Sequence, residues 1–357
     1  MKSKRTRVVA ILIVLAVAAV VWAERRHIHF DWRVFGQQLR MADWRRIALA
    51  LGCIYAGYVV RSARWVWLMR HRKRMPSLSL LGTQVMGFTA VALIGRVADL
   101  VRPYLVAKKT ALPLSSQVAV YVVERLFDAG SMALITSVVI LVAPAGAVPH
   151  PEIMRRAAFW GLLLTVAGTL FLVSVRLWGG AVATTARRAF GVFSEGFGHA
   201  VEEKIRAFHS GLDTIRSLAD FLVAAAYSLG MWVLIALSYL ETMLAFTASP
   251  ELAAMTPAKG VLMMVFSGGA SVLQLPVLGW FTQVAFVAGA LSKFFGVSPE
   301  AATGCAATLL LITFLGIVPI GLIWSRFEHI SLRQVTEESE HAGVELTHQG
   351  GASTLEA

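Results

Sequence analysis

Apolar stretches long enough to cross a bilayer recur along this chain and constrain its fold more than any other feature. A spanning helix needs roughly 20 mostly apolar residues, and 57% of the 357 residues are hydrophobic whereas only 15% are charged. That composition argues against a water-soluble fold. We therefore predict an all-α protein, a polytopic membrane helical bundle with about six full spans. The predicted spans are residues 1–23, 47–69, 117–143, 157–178, 218–248 and 304–324.

Basic residues cluster between the apolar stretches and give the chain a formal net charge of +12. Cytoplasmic loops of membrane proteins carry such an excess of Lys and Arg, which also suits anionic lipid head groups. Residues 70–74 and the segment 179–217 are therefore predicted to face the cytoplasm, and nucleic acid is the lesser interpretation of the charge. We expect a multi-pass protein of a bacterial-type inner (plasma) membrane with both termini in the cytoplasm.

The first apolar stretch also fits a secretory signal peptide. Basic residues, among them Lys2 and Arg5, precede it, and Ala23 follows it. Val21 stands where a cleavage site favours a small residue, so we expect an uncleaved anchor, with cleavage as the alternative.

Two segments are too apolar for loops, yet too charged or too broken for full spans. If residues 70–74 and 179–217 are both cytoplasmic, segment 75–116 must begin and end inside and segment 255–295 must begin and end outside. Charge and irregular backbone at membrane depth are tolerated where they are buried in protein or line a watery cavity. We therefore predict two oppositely oriented re-entrant helical hairpins. Span, hairpin and span then form an inverted repeat, as in many transporters.

The remaining segments are predicted to lie at the membrane surface or in water. Residues 24–46 carry aromatic residues among six arginines, and their helical spacing predicts an amphipathic segment in the interface. Residues 1–326 are predicted to form one transmembrane domain. Residues 327–357, rich in Glu, Ser, Gly and Thr, are predicted to be a disordered cytoplasmic tail.

A triad of charges lies in the first predicted hairpin. Arg96, Asp99 and Arg102 are spaced three apart, which places them on one helical face. Asp99 can then partner both guanidinium groups and leave donors free for a phosphate, which arginine binds well. The alternative is a cytoplasmic helix with ordinary ion pairs between residues three apart.

Acidic residues lie inside the third predicted span. Glu124 and Asp128 share one helical face, with Arg125 next to Glu124, and acidic groups at membrane depth are costly unless they are paired or wet. The candidate partners are arginines of two other segments: Arg96 and Arg102, or Arg61 and Arg64. For Arg61 and Arg64, snorkelling to the cytoplasmic interface is the alternative.

The second predicted hairpin holds polar side chains around a helix break. A proline leaves backbone amides unsatisfied, and the N-terminus of a half-helix offers such amides to an anion. Gln274, Pro276 and Gln283 are therefore candidate substrate-binding residues.

The sequence has no pattern for catalysis or for a cofactor. It contains no Walker loop, no GxSxG motif and no HExxH motif. Cys53 and Cys305 lie far apart in apolar segments, and the pair His27 and His29 has no Cys or carboxylate to complete a metal site. We therefore expect no enzyme activity, no catalytic residue, no cofactor and no metal.

Five blocks carry a family resemblance: FDW at 30–32, RxxRW at 61–65, LIGRVADLVR at 93–102, ERxxD at 124–128 and the segment 276–283. Together they resemble the flippase-like family of the lysylphosphatidylglycerol synthase transmembrane region, over nearly all of residues 1–326. Members usually read LPxRxGExxR in the third block, so Arg96 and Arg102 carry over and Asp99 stands in for Glu. The last block reads PGGxGxxE in the family. Here Pro276 is kept and Gln283 occupies the Glu position, which removes a charge.

The resemblance implies a membrane domain that moves a lipid or a lipid-linked head group across the bilayer. We expect a lipid flippase-like transporter for a phospholipid or a polyprenyl-phosphate type of head group, and this membrane lipid is its expected partner. The synthases carry a further soluble aminoacyl-transfer domain, for which this sequence has no segment, so transport is expected rather than synthesis. The alternative is a non-transporting scaffold for a membrane enzyme partner that modifies lipids or transfers sugars. The sequence leaves the oligomeric state open.

Overall fold

A computed structural model describes most of residues 30–328. The described residues are 30–144, 146–191, 194–196, 198–202, 205, 215, 217–270 and 278–328. Their regular secondary structure is entirely helical, without a strand. The predicted first span and nearly all of the predicted tail lie outside these residues.

Twelve helices have bounds within the described residues. In chain order they are α1 (Trp32–Arg40), α2 (Trp44–Met69), α3 (Leu81–Ile94), α4 (Val101–Thr110), α5 (Leu114–Val142), α6 (Pro151–Gly191), α7 (Leu218–Leu244), α8 (Pro250–Ala253), α9 (Pro257–Ala270), α10 (Leu278–Phe295), α11 (Pro299–Leu310) and α12 (Ile317–Phe327). A 3₁₀ turn, Arg96–Leu100, joins α3 to α4. A π-helical turn, Leu311–Leu315, joins α11 to α12.

Four helical stretches among the described residues are long and apolar enough to cross a membrane. They are α5, α6, α7 and the continuous run Pro299–Phe327. Helix α2 has 26 residues, so at about 1.5 Å per residue it can also cross a hydrocarbon core of about 30 Å, although it carries buried arginine. The prediction of an all-helical, multi-pass membrane protein is confirmed.

The helix boundaries differ from the predicted spans where the backbone is irregular. Helix α6 consists of two helical parts that meet at a kink at Trp178 (φ −131°, ψ 37°), the last residue of the predicted span 157–178, and the second part lies in the segment that was predicted to be a polar loop. The last predicted span, 304–324, contains the π-helical turn. Apolar patterning does not report that turn.

Helices α2 and α7 form an antiparallel pair. Near the start of α2, Arg46 Nη1 lies 2.7 Å from a carboxylate oxygen of Glu241, near the end of α7. Just after α2, Arg70 pairs with Asp220 at the start of α7. The two helices therefore run in opposite directions along their full lengths.

Two shorter helix pairs, α3 with α4 and α9 with α10, each return to the end of the bundle where they began. Lys73, before α3, donates a hydrogen bond of 2.7 Å to the carbonyl oxygen of Thr110 at the end of α4. Lys259, in the first turn of α9, has its Nζ 5.5 Å from the ring centroid of Phe295, the last residue of α10.

The two pairs open at opposite ends of α5. Thr110 lies four residues before the first residue of α5, so the first pair opens beside the beginning of that helix. Ala258 of α9 packs in one apolar cluster with Ile140 and Ala143, at the end of α5. The second pair therefore opens at the other end of the bundle.

Packing between the two halves of the chain is reciprocal. Helix α3, in the first half, packs against α12 of the second, and α9, in the second half, packs against α5 of the first. Helix α2 is the first long helix of the first half and α7 is the first of the second half, and these two helices pack against each other. One helix of each short pair therefore packs against a helix of the other half, α3 against α12 and α9 against α5.

Helix α1 lies beside α11 and matches the predicted amphipathic segment. The side chain of Asp31 caps it by accepting a hydrogen bond of 2.7 Å from the backbone N–H of Arg33. Trp32 is 76% exposed, as an aromatic side chain at a membrane interface is expected to be.

Candidate functional site

Arg64 lies in the interior of the bundle, and both of its terminal nitrogens are paired with acidic or hydroxyl groups. It is 1% exposed. It donates hydrogen bonds to Glu124, to Asp128 at 2.5 Å and to the hydroxyl of Ser228 at 2.6 Å. Glu124 and Asp128 reach it together because residues four apart share one face of α5. This burial excludes snorkelling for Arg64.

Arg102, from α4, binds the other side of Glu124. Its Nη2 donates to Glu124 Oε2 at 2.9 Å, and its Nη1 donates to Gln84 Oε1 at 3.2 Å. Arg102 is 2% exposed and its guanidinium carbon lies 4.5 Å from the ring centroid of Phe88, within the range of a cation–π contact. Glu124 therefore bridges α2 and α4.

Arg125 completes this group from the outer face of α5. Its Nη2 lies 2.7 Å from Asp128 Oδ2 and 3.4 Å from Glu124 Oε1. The first contact is an ion pair whose geometry does not suit a hydrogen bond. Its side chain is 41% exposed. We call Arg64, Arg102, Arg125, Glu124 and Asp128 the arginine cluster.

The arginine cluster has more positive than negative charge. Three guanidinium groups share two carboxylates, which leaves one positive charge over. A buried charge is stabilised only when it is paired and hydrogen-bonded. Arg125 is the member of the cluster that is 41% exposed, so a negatively charged group outside the cluster can approach the surplus charge there.

A glycine makes room for Arg102. A Cβ atom built on Gly87 would lie 2.2 Å from Arg102 Cγ, far inside van der Waals contact. Only glycine at this position of α3 lets the arginine stem pass between α3 and α5 toward Glu124.

Arg61 lies one turn before Arg64 on α2, beside the arginine cluster but outside its ion pairs. Its guanidinium carbon lies 4.6 Å from the ring centroid of Phe88, so Arg61 and Arg102 contact the same aromatic ring. Its buried Nη1 has no hydrogen-bond partner among the described residues.

A cavity of about 200 Å³ lies next to Arg61. Its lining comes from α2, α7, α9, α10 and the π-helical turn, so both halves of the chain contribute. The lining residues are Ile54, Gly57, Tyr58, Arg61, Trp232, Ile235, Tyr239, Met264, Ser267, Gly268, Gln283, Thr313 and Phe314. We call it the central cavity.

Hydrogen-bonded polar residues form one wall of the central cavity. Tyr239 donates a hydrogen bond of 2.7 Å to the hydroxyl of Ser267, and the amide nitrogen of Gln283 donates to the same hydroxyl at 2.8 Å. Gln283 is 7% exposed, and its Oε1 has no partner among the described residues. The wall thus keeps an acceptor that is not used within the protein.

The comparison with known protein families decides the relationship. A family model described as the lysylphosphatidylglycerol synthase TM region matches residues 7–321. The chain belongs to this family. Searches of curated proteins and of solved structures found no match. The family relates the protein to lipid handling in membranes, as the resemblance of its sequence blocks implied.

In this member of the family, most of the predicted site residues come together. Arg64, Arg102, Glu124, Arg125 and Asp128 form the arginine cluster. Arg61 and Gln283 line the adjacent central cavity. Two pairs of arginines were considered as partners of Glu124 and Asp128. Among the described side chains, each pair supplies one partner, Arg102 from the first and Arg64 from the second.

The remaining predicted residues lie apart or outside the description. Asp99 sits in the 3₁₀ turn and makes no ion pair with a described side chain, whereas Arg102, in α4, faces Glu124. Arg96 begins the same turn, but its side chain is outside the description. Gln274 and Pro276 also lie outside the described residues, between α9 and α10.

Sequence reasoning missed several residues of the site. They are Gln84, Ser228, Trp232, Tyr239, Ser267 and Thr313. A signal existed for some of them, since Trp232 and Tyr239 are seven apart and thus share one helical face. No group of three His, Cys, Asp or Glu side chains that could hold a metal occurs in the described part of the chain.

Proposed function

We propose that this protein is a flippase-like transporter that moves the head group of a phospholipid, or of a polyprenyl-phosphate-linked lipid, across the bacterial inner membrane. The observation that carries the proposal is the buried arginine cluster, with its surplus of positive charge, beside the central cavity. The proposal includes transport rather than synthesis, and no enzyme activity.

Charge at this depth supports a ligand with negative charge. Ionisable residues inside membrane segments are costly and generally mark substrate or ion pathways. A phosphate that approaches the arginine cluster would balance its surplus charge, and arginine presents several donors to phosphate oxygens at once. A lipid phosphate therefore fits the site better than a neutral molecule does.

The short helix pairs support a transport geometry. Each pair begins and ends at one end of the bundle, and the two open at opposite ends. We propose that both are re-entrant hairpins and that residues 70–74 mark the cytoplasmic end. The two halves would then alternate in exposing the site, as in transporters built from inverted repeats.

The proposal is tested by reconstituting the full-length protein into vesicles that carry a fluorescent phospholipid with a phosphate head group. Chemical quenching from outside then reports how much of the inner-leaflet lipid reaches the outer leaflet. We expect faster exchange than in protein-free vesicles, slowed by Arg96→Ala, because Arg96 is a predicted head-group residue that matches the family motif. Arg45→Ala, at an exposed arginine of α2, is the matched control and should exchange lipid at the wild-type rate.

A scaffold for a lipid-modifying enzyme is the rival function and predicts a different result. Vesicles with the wild-type protein would then exchange no more lipid than protein-free vesicles. Gentle purification from the native membrane would instead recover an enzyme in fixed stoichiometry. That pair of results would overturn the transport proposal.

A further inference from the structure

Three buried polar atoms on residues of the central cavity have no hydrogen-bond partner among the described residues. Two are donors, Arg61 Nη1 and Trp232 Nε1, and one is an acceptor, Gln283 Oε1. Buried polar groups are nearly always satisfied, and exceptions require an explanation such as a ligand or water. A ligand that fits must accept at least two hydrogen bonds and donate one.

The charge on the cavity lining is positive. Among the described residues that line it, Arg61 is the charged one and none is Asp or Glu. The nearby carboxylates, Glu124 and Asp128, are already paired with the arginines of the cluster. A cationic group in the cavity would therefore meet Arg61 without a free carboxylate to balance it.

The size of the cavity suits a head group rather than a whole lipid. Its volume is about 200 Å³, below the range of about 300–1,000 Å³ for sites that enclose drug-sized molecules. The acyl or prenyl chains would remain outside, in the bilayer.

We infer that the central cavity binds a phosphodiester head group that bears a hydroxyl group and a net negative charge, and that it disfavours an aminoacylated, cationic head group. The phosphate oxygens accept from Arg61 and Trp232, and the hydroxyl donates to Gln283 Oε1. This inference rests on the proposed function, because it names the substrate class of that transporter. It also separates this chain from what the family description suggests, a lipid carrying lysine.

The test is equilibrium binding of four lipids to the purified full-length protein in neutral detergent. The lipids are phosphatidylglycerol, a polyprenyl phosphate-linked sugar, lysylphosphatidylglycerol and phosphatidylcholine. We expect saturable binding of at least one of the first two, at least ten-fold tighter than binding of lysylphosphatidylglycerol. Which of the two binds more tightly identifies the source of the head group.

Variants assign the preference to the cavity. Arg61→Gln should weaken binding of the anionic lipid at least ten-fold, whereas Arg45→Gln, at an exposed position of the same helix, should leave it unchanged. Gln283→Glu should weaken binding of the anionic lipid and strengthen binding of lysylphosphatidylglycerol. The ratio of the two dissociation constants should therefore move toward one or reverse. Misfolding alone cannot reverse that ratio.

Several results would overturn the inference. They are equal or tighter binding of lysylphosphatidylglycerol by the wild-type protein, anionic binding that is indifferent to Arg61→Gln, and no saturable binding of either anionic lipid. The same experiments distinguish this inference from the proposed function. Arg61-dependent binding without lipid exchange in vesicles would refute transport and leave the cavity assignment in place. Lipid exchange with Arg61-independent binding would refute the cavity assignment and leave transport in place.

Discussion

At the scale of single residues, a change of helix type just before Arg102 decides which carboxylate that arginine contacts. Arg102 and Asp99 are three apart, and a continuous helix would place them on one face. The chain instead forms a 3₁₀ turn to Leu100 and begins an α-helix at Val101, so the two residues belong to different elements. Arg102 then pairs with Glu124, which is distant in sequence. Spacing rules predict contacts only within one regular helix.

The close approach of Arg102 to α3 gives a first prediction. Gly87→Ala places a methyl group where Arg102 Cγ lies, and overpacking a buried contact typically costs about 1–3 kcal/mol. We expect a lower midpoint of thermal unfolding in detergent and slower lipid exchange. Gly130→Ala is the control, because a Cβ there meets no atom within 4 Å. Equal unfolding midpoints for the two variants would contradict this packing.

Glu124 gives a second prediction, because it holds two buried guanidinium groups. Glu124→Gln leaves Arg64 and Arg102 without this carboxylate, and breaking a buried ion pair costs about 3–5 kcal/mol. The loss should appear as a strongly lowered unfolding midpoint. Glu152→Gln removes a carboxylate of an exposed pair with Arg156, at 3.9 Å, and should change the midpoint little. Similar behaviour of the two variants would show that the arginine cluster does not stabilise the fold.

At the scale of helices, hydrophobicity predicted the long elements because each needs a continuous apolar surface toward lipid. The two short pairs were predicted because the basic loops require each of these segments to begin and end on one side of the membrane. The contacts of Lys73 with Thr110 and of Lys259 with Phe295 support them. The π-helical turn was not predictable, since it does not change the apolar pattern, whereas the predicted span 157–178 ends at the kink residue Trp178. Thr313 of the π-helical turn lies on the wall of the central cavity.

The topology of the short pairs gives a third prediction. In a background without Cys53 and Cys305, single cysteines at Arg74 and Lys108 should react with an impermeant thiol reagent from the cytoplasmic side. Cysteines at Ala254 and Pro299 should react only from the opposite side. All four positions are exposed, so reagent access is not limited by burial in the protein. Labelling of Lys108→Cys and Ala254→Cys from the same side would contradict oppositely oriented hairpins.

At the scale of the whole molecule, the two halves are interlocked rather than adjacent. One helix of each short pair packs against the other half, α3 against α12 and α9 against α5, and the central cavity lies where α2 and α7 meet. Arg61 and Gln283 were predicted as site residues, but the cavity between them was not, because its polar residues come from four helices and the π-helical turn and become neighbours only through tertiary packing. A site built from both halves is well placed to open toward either side in turn.

The central claim is that lipid head groups move through the central cavity, and filling that cavity tests it most directly. Gly57 lines the cavity and is buried, yet a Cβ built on it meets no atom within 4 Å. Gly57→Phe should therefore fill the cavity with little loss of thermal stability, whereas Gly52→Phe adds the same ring at an exposed position of α2. In vesicles containing fluorescent phosphatidylglycerol, we predict that Gly57→Phe abolishes lipid exchange and that Gly52→Phe retains it. Exchange at the wild-type rate by a folded Gly57→Phe protein would contradict transport through this cavity.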